Sequence, residues 1–148
     1  MPWPAIGEIG RLPDAIAIIP TGSTEQHGPH LPVFADSLFA TALAKRTAEL
    51  LPVPVLVTPV VNVGLSDHHA TFPGTITLSS EVFAAVIRAH VDAMRRIGIR
   101  RVALFSGHGG NFRALGEVAA KYQIDAADCQ VVAYSDLARF LSIMFESG

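Results

Sequence analysis

The sequence is poor in cysteine, in charge and in long apolar runs. Cys129 is the only cysteine among 148 residues, so an internal disulfide is excluded and a reducing compartment is expected. Only 16% of the residues are charged and the formal net charge is −2, which argues against the basic surface of a nucleic-acid-binding protein. No apolar run approaches the roughly 18 residues that a membrane span needs, and the N-terminus lacks a signal-peptide pattern. We therefore expect a cytoplasmic protein with no nucleic-acid or membrane partner.

What the sequence does contain is enough apolar surface for one domain. Half of the residues are hydrophobic, and a chain of this length can bury a substantial core. Four short, β-branched, nearly continuous apolar runs predict strands at residues 15–20, 53–61, 101–106 and 130–135. Amphipathic patterns predict helices at residues 37–50, 80–97, 112–123 and from 137 to the C-terminus. This alternation predicts an α/β fold with a mainly parallel sheet and right-handed crossovers.

Polar clusters follow three of the predicted strands. The stretch TGSTEQHGPHLPVFAD (residues 21–36) follows the first strand, and a long segment that contains His68 and His69 (residues 62–79) follows the second. The short run GHGGN (residues 107–111) follows the third. Ligands of open α/β sheets bind in the crevice at the carboxyl ends of the strands. The three clusters are therefore predicted to converge at one edge of the sheet.

The residue types in these clusters are those of a metal site. Glu25 and His27 are two positions apart, so an extended backbone points both side chains to the same side. Asp36 follows after a proline-rich turn, and His108 ends the third strand between glycines. Imidazole and carboxylate together suit zinc, manganese or iron better than calcium, which prefers oxygen ligands. The spacing therefore predicts a metal site.

Each of these residues also has a simpler interpretation. Asp36 alone could be the N-cap of the helix that follows it. His27 or His30 alone would be typical of a hydrogen-bonded turn residue. Ser23 or Ser106 could serve as the nucleophile of a metal-free hydrolase, although neither lies in a G-x-S-x-G elbow.

Three motifs resemble those of a known family. They are PTGSTEQHGPHLPVFAD (residues 20–36), GLSDHHATFPGTITLS (residues 64–79) and FSGHGGN (residues 105–111). With these motifs in this order, the chain resembles the creatininase (creatinine amidohydrolase) family. The resemblance implies a three-layer α/β/α fold and two divalent metal ions, zinc or manganese or both, with iron possible. It also implies hydrolysis of a C–N amide bond in a small cyclic or linear amide or a short peptide, and homo-oligomers, commonly hexamers.

The resemblance also implies roles for individual residues. Glu25 and His108 would bind one ion, His27 would bind the other, and Asp36 would bridge the two. His69 precedes the FPGT segment and matches a pocket histidine of the family that polarises substrate or orients a ligand, and the motif favours it over His68. The residues that would line the substrate pocket are Ser66, Gly109, Gly110 and Asn111.

Two departures from the family pattern affect the predicted site. Gly110 stands where creatininases proper carry a glutamate, and no downstream acidic motif of the kind found in the HGGN branch appears before Gly148. Glu117 and Glu146 are the only nearby substitutes, and Glu117 should point away from the crevice. Residues 1–148 are therefore expected to form a single creatininase-like domain that is incomplete at its C-terminus, with an incomplete second metal site. The alternative is a non-catalytic family member that acts as a binding or assembly module.

Overall fold

A computed structural model describes residues 1–126 and 128–134. Four parallel strands form one sheet in the order β2-β1-β3-β4. The strands are β1 (Ile16–Thr21), β2 (Val55–Val57), β3 (Arg101–Ser106) and β4 (Gln130–Ala133). The helices are α1 (Trp3–Gly10), α2 (Ala35–Leu50), α3 (Ser80–Arg96) and α4 (Phe112–Asp125), with 3-10 turns at Asp67–His69 and Gly109–Asn111. The predicted α/β fold with a parallel sheet is confirmed.

Element boundaries differ from the prediction where prolines interrupt the pattern. The second strand, predicted over residues 53–61, covers only Val55–Val57, because the flanking Pro54 and Pro59 have no backbone N–H to donate. Val61 pairs with Thr21 only as an isolated bridge. Helix α1 was not predicted, although its early proline is typical of a first helical turn. The helix predicted from residue 137 lies outside the described residues.

The sheet is covered on both faces. Helix α2 packs against β1, β2 and β3, whereas α3 and α4 pack against each other and α4 covers β3 and β4. The core on the α3 and α4 side contains fully buried side chains of both layers, including Ile19, Leu104, Phe83, Ile87 and Leu115. Along the part of the chain that the structure describes, no helix is both long and apolar enough to cross a membrane.

The strand order creates a crevice between the carboxyl ends of β1 and β3. From β1 the chain leaves through α2 toward β2, whereas from β3 it leaves through α4 in the opposite direction toward β4. Right-handed crossovers in opposite directions place the two helices on opposite faces of the sheet. The last residues of the two strands, Thr21 and Ser106, are register partners. The segments that follow them therefore diverge around a topological switch point, where open sheets bind ligands.

The contact between α3 and α4 includes a buried phenol whose ionisation opposes folding. The Tyr122 hydroxyl lies 2.8 Å from Asp92 Oδ1 and 3.2 Å from the Arg88 carbonyl oxygen. Burial, reinforced by the hydrogen bond and the charge of Asp92, raises the pKa of Tyr122 from 10.0 to about 12. Between these two pH values the unfolded chain has lost this proton and the folded chain keeps it, so stability falls as pH rises.

We expect Tyr122→Phe to remove this part of the alkaline destabilisation. Urea unfolding of both proteins should show a smaller loss of unfolding free energy between pH 10 and pH 12 in the variant. At neutral pH the variant should be less stable by about 1 kcal/mol, because it lacks the hydrogen bond to Asp92. Parallel pH profiles for the two proteins would contradict the assignment.

Candidate metal centre

Four predicted ligands meet in the crevice between β1 and β3. Glu25 and His27 follow β1, Asp36 lies in the first turn of α2, and His108 follows β3. One Asp36 oxygen, Oδ1, lies 2.9 Å from His27 Nε2, and the other, Oδ2, lies 3.0 Å from His108 Nδ1. The structure therefore brings together all four residues that were predicted to hold metal.

Asp36 does not cap α2, so that simpler interpretation of the residue is wrong. The N-cap position is Phe34, and no side chain there bonds to the helix. Asp36 is the second helical residue, and its buried carboxylate points at the two histidines instead of at backbone N–H groups. The positive end of the helix dipole still favours a carboxylate in this turn.

Glu25 places a second buried carboxylate beside the same histidines. Its Oε1 atom lies 3.3 Å from His108 Nδ1 and 4.0 Å from His27 Nε2. Within the described part of the chain, Glu25 Oε2 and Asp36 Oδ2 are buried and have no hydrogen-bond partner. Buried carboxylate oxygens without a donor are costly, and a cation between them and the imidazoles would offset that cost. The donor set therefore fits a divalent metal.

Hydrogen bonds to backbone carbonyls orient the His27 and His108 rings for metal binding. His108 Nε2 lies 3.0 Å from the Leu65 carbonyl oxygen, and His27 Nδ1 lies 3.3 Å from the Glu25 carbonyl oxygen. A carbonyl only accepts, so each of these nitrogens carries the proton and donates it. Each neutral ring is then left with a lone pair on the nitrogen that faces Asp36, as in metal-binding histidines.

Electrostatics at His108 favour a positive charge. Burial lowers the pKa of His108, but a protonated ring could donate from Nδ1 to Asp36, and this bond, the Leu65 carbonyl and the charges of Glu25 and Asp36 outweigh burial and leave the pKa raised. The same carboxylates and carbonyl that favour a proton on this ring also favour a metal ion beside it.

The 3-10 turn after β2 brings both of its histidines to Glu25. His68 Nε2 lies 3.9 Å from Glu25 Oε2, and His69 Nε2 lies 3.9 Å from Glu25 Oε1. The motif favoured His69 as the histidine that faces the site, whereas in the structure both rings face it. The His68 side chain is 56% exposed and the His69 side chain is 25% exposed.

Gln26 is a site residue that the sequence interpretation missed. Its Nε2 atom lies 3.1 Å from His69 Nδ1, and its Oε1 atom accepts a hydrogen bond of 2.9 Å from the Gly28 N–H. Because Gly28 donates, the amide group of Gln26 must turn its NH₂ toward His69, and His69 Nδ1 must accept. The proton of a neutral His69 is therefore on Nε2, which points into the site. The position of Gln26 between two predicted ligands was the available signal.

Two predicted substrate-binding residues support the site from beneath. Ser66 and Asn111 are fully buried. The Ser66 hydroxyl bonds to Ser23 and lies 3.5 Å from His108 Nε2. Neither side chain has surface with which to meet a substrate in this arrangement, so the structure does not bring them to the substrate side as predicted.

Gly109 and Gly110 lie exposed at the rim of the site, and Gly110 has no room for a side chain. A Cβ atom there would lie 2.5 Å from His108 Nε2 and 2.5 Å from the Leu65 carbonyl oxygen. These are the two atoms of the hydrogen bond that orients His108. A glutamate, which creatininases proper carry at this position, cannot fit on this backbone without displacing that bond.

We expect Gly110→Ala to weaken metal binding and to lower the unfolding free energy by about 1–3 kcal/mol, as overpacking does. The methyl group would push His108 away from Leu65 and misdirect its Nδ1 atom. Gly7→Ala is the matched control, because its Cβ would meet nothing within 4 Å and alanine favours a helix interior by about 0.5–1 kcal/mol. Denaturant unfolding and metal titration would measure both effects, and equal metal affinity in Gly110→Ala and wild type would contradict this account.

Other candidate residues lie away from the site or are inaccessible. Ser23 and Ser106 are fully buried, so the interpretation as a metal-free serine hydrolase is wrong. His30 is exposed in a turn. Glu117 is exposed and pairs with Arg113 at 2.8 Å, which confirms that it points away from the crevice. Glu146 lies outside the described residues.

Comparison with known proteins agrees with the motifs. The family model described as creatinine amidohydrolase matches residues 1–145. The mycofactocin precursor peptide peptidase of Mycobacterium tuberculosis is 34% identical, over 84% of this chain and 55% of its own. The creatinine amidohydrolase of Pseudomonas putida is 32% identical, over 66% of this chain and 39% of its own. The chain thus spans about half the length, or less, of these curated relatives.

Solved structures show the same fold. A crystal structure of creatinine amidohydrolase superposes with a TM-score of 0.81 at 24% identity, covering 100% of this chain and 62% of that one. This likeness confirms the predicted α/β creatininase fold. Taken with the match of the family model over residues 1–145, it shows that this chain belongs to the creatininase family.

Proposed function

We propose that this protein is a metal-dependent hydrolase of C–N amide bonds. The observation that carries the proposal is the pair of imidazole nitrogens, His27 Nε2 and His108 Nδ1, that face the two oxygens of Asp36 at 2.9 Å and 3.0 Å. Both rings are turned by bonds to backbone carbonyls so that a lone pair faces inward. A structural ion pair needs one carboxylate, whereas this site buries two, those of Glu25 and Asp36.

Asp36 would bridge two divalent ions, and the fact that each of its oxygens faces a different histidine supports this. His27 would serve one ion and His108 the other, and Glu25 lies within reach of both histidines. When bound, such ions lower the pKa of a water molecule toward neutrality and polarise the carbonyl oxygen of an amide. Zinc or manganese suits this mixed set of imidazole and carboxylate donors, and iron is a further candidate.

His69 is proposed to donate a hydrogen bond to the substrate. Gln26 and Gly28 leave the proton of a neutral His69 on Nε2, and Nε2 points toward Glu25 and the proposed metal site. A fixed N–H at this place would stabilise negative charge on the carbonyl oxygen or hold the leaving nitrogen. The contact of the His69 ring with the edge of Phe72, at 5.7 Å between centroids, limits its rotation.

The proposed substrate is a small cyclic or linear amide or a short peptide. A recess of about 350 Å³ beside the site shares Gln26 with it and is lined by Leu31, Val33, Phe72 and Pro73. Its size and apolar lining suit a small molecule or one end of a peptide better than a large folded partner. The names of the two curated relatives describe a peptidase and an amidohydrolase, and both names imply cleavage of an amide-type bond.

A homo-oligomer is proposed as the working form, on the family resemblance. Large apolar side chains are exposed near the start of α2, with Leu31 at 49%, Phe34 at 47% and Leu38 at 54%. Contact with a second copy of the chain would remove this surface from water. Light scattering after size-exclusion chromatography would measure the number of copies.

Metal analysis and an amidase assay on the same protein would test the proposed function. We expect bound zinc, manganese or iron by mass spectrometry, and hydrolysis of at least one member of a panel of creatinine, formamides and short peptides. A chelator should abolish turnover and added metal should restore it, whereas a serine-directed reagent should have no effect. Metal at no more than trace levels, even after reconstitution, would overturn the proposal.

Gly110 favours a second candidate, a binding or assembly module that has kept the fold without catalysis. The position offers no carboxylate and leaves no room for one. The family motifs therefore supply fewer metal ligands in this chain than in creatininases proper. Full metal occupancy without turnover of any member of the panel would support this candidate, and measurable turnover would eliminate it.

A further inference from the structure

His68 was assigned no role by the family motif, yet it lies at the metal centre. Its Nε2 atom is 3.9 Å from Glu25 Oε2. Its ring stacks parallel to the His108 ring, with 5.8 Å between centroids and an angle of 4° between planes. Ligand atoms of Glu25, His68 and His108 all lie within 4.8 Å of one another. Ligand atoms of Glu25, His27 and Asp36 form a second trio within the same separation.

The two carboxylate oxygens of Glu25 face different histidines. Oε1 faces His108 and His27, whereas Oε2 faces His68. Oε2 is buried, and no donor reaches it from residues 1–126 or 128–134. An imidazole nitrogen and an unbonded carboxylate oxygen at this separation are placed for a shared cation. Donor atoms around a tetrahedral ion lie about 3.3–3.5 Å apart, given bond lengths of about 2.0–2.1 Å.

His68 can close the remaining distance because its side chain is half exposed and has room to move. The nitrogen–oxygen separation of 3.9 Å would have to shorten by about half an ångström to match that of two donors on one tetrahedral ion. His69 cannot take the same role without losing its bond to Gln26, since Gln26 and Gly28 keep the proton on His69 Nε2. The Nε2 atoms of His68 and His69 therefore lie equally far from Glu25, but only the His69 Nε2 atom is held as an N–H donor.

We propose that His68 is a metal ligand and that it holds one ion together with Glu25 and His108. This inference rests on the proposed function, because it assigns a ligand within the proposed metal centre. It also assigns different tasks to neighbouring residues: His68 holds metal, and His69 presents an N–H to the substrate.

Metal titration of matched variants tests the assignment. The chelator-treated full chain would be titrated with Zn²⁺ against a chromophoric chelator, and with Co²⁺ while its visible absorption is recorded. We expect His68→Ala to lower the metal affinity of one site by at least about tenfold. Loss of a residue that only hydrogen-bonds to a metal ligand already lowers affinity by about that much. His69→Ala should change the affinity by less than about threefold. Added free imidazole should partly restore the Co²⁺ spectrum of His68→Ala, since the position is open to solvent.

The outcomes separate this inference from the proposed function. If wild type binds metal and His68→Ala binds it with the same stoichiometry and affinity, the assignment of His68 is wrong and the metal centre stands. If His69→Ala weakens binding and His68→Ala does not, the roles are reversed and the proposal fails. If wild type takes up no ion, the proposed function and this inference fail together. His68→Gln, with circular dichroism on every variant, guards against loss of the fold as the cause.

Discussion

Replacing Asp36 with asparagine is expected to reduce the proposed amide hydrolysis about a thousandfold or more and to lower metal stoichiometry. Asparagine keeps the shape of the side chain, but its NH₂ group must face one of two imidazole nitrogens that lie 2.9 Å and 3.0 Å from the present oxygens. It can accept at only one of these places, so it cannot bridge two ions. A loss of several kcal/mol of stabilisation by the metal corresponds to about a thousandfold in rate.

Asp67→Asn is the matched control for Asp36→Asn. Asp67 begins the 3-10 turn that carries His68 and His69, and it is exposed. The control removes the same charge close to the site without touching the buried pair of carboxylates. We expect Asp67→Asn to keep metal content and turnover within about twofold of wild type, in line with the small effects of surface substitutions. If the two variants lost activity equally, general electrostatics, and not a bridging carboxylate, would explain the result.

Asn111→Ala is expected to cause the largest loss of stability, about 3–5 kcal/mol in unfolding free energy. The Asn111 Oδ1 atom accepts the Leu65 N–H at 3.0 Å, and its Nδ2 atom donates to the Gly22 carbonyl at 2.9 Å and to Ser106 Oγ at 3.2 Å. All of these groups belong to segments that surround the carboxyl ends of β1 and β3. Alanine would leave buried backbone groups without partners, and each such group costs about 1–3 kcal/mol.

The substitution Asn111→Ala should also weaken metal binding, although Asn111 is not a predicted metal ligand. Leu65 donates its N–H to Asn111 Oδ1, and its carbonyl oxygen accepts from His108 Nε2. A displaced Leu65 would release the ring whose Nδ1 atom faces Asp36. Asn62→Ala is the control, because Asn62 is exposed and, among the described residues, bonds to Thr24 through its backbone carbonyl and not its side chain; the stability of this variant should stay within about 0.5 kcal/mol of wild type. Denaturant unfolding measures both variants, and similar values for the two would refute the structural role of Asn111.

The cluster of acids explains why so polar a stretch lies in an apolar chain. Glu25 and Asp36 are buried near each other at 4% and 7% exposure, and two neighbouring carboxylates repel each other and are costly to desolvate. Such an arrangement opposes folding unless a cation joins them. The packing of the core must therefore offset the free-energy cost of holding these two carboxylates together at the candidate metal centre.

Local patterns in the sequence were enough to predict the strands, most of the helices and the residues that meet in the crevice. Buried parallel strands are recognisable because both of their faces are apolar, and the ends of such strands must share one edge of the sheet. Glu25, His27, Asp36 and His108 could be named for that reason, before any distance was known. The length of β2 was overestimated because apolarity does not show where prolines interrupt a ladder of hydrogen bonds.

The orientation of side chains was decided only by the tertiary structure. Whether Asp36 caps its helix or faces two histidines depends on where β3 places His108, some 70 residues away in the chain. The proposed difference between His68 and His69 depends on Gln26 and Gly28, whose bond to each other leaves the proton of a neutral His69 on Nε2. The lack of space at Gly110 depends on Leu65. The sequence by itself determined which chemical groups lie at the edge of the sheet; contacts between distant segments decided which nitrogen carries a proton and which lone pair faces the metal centre.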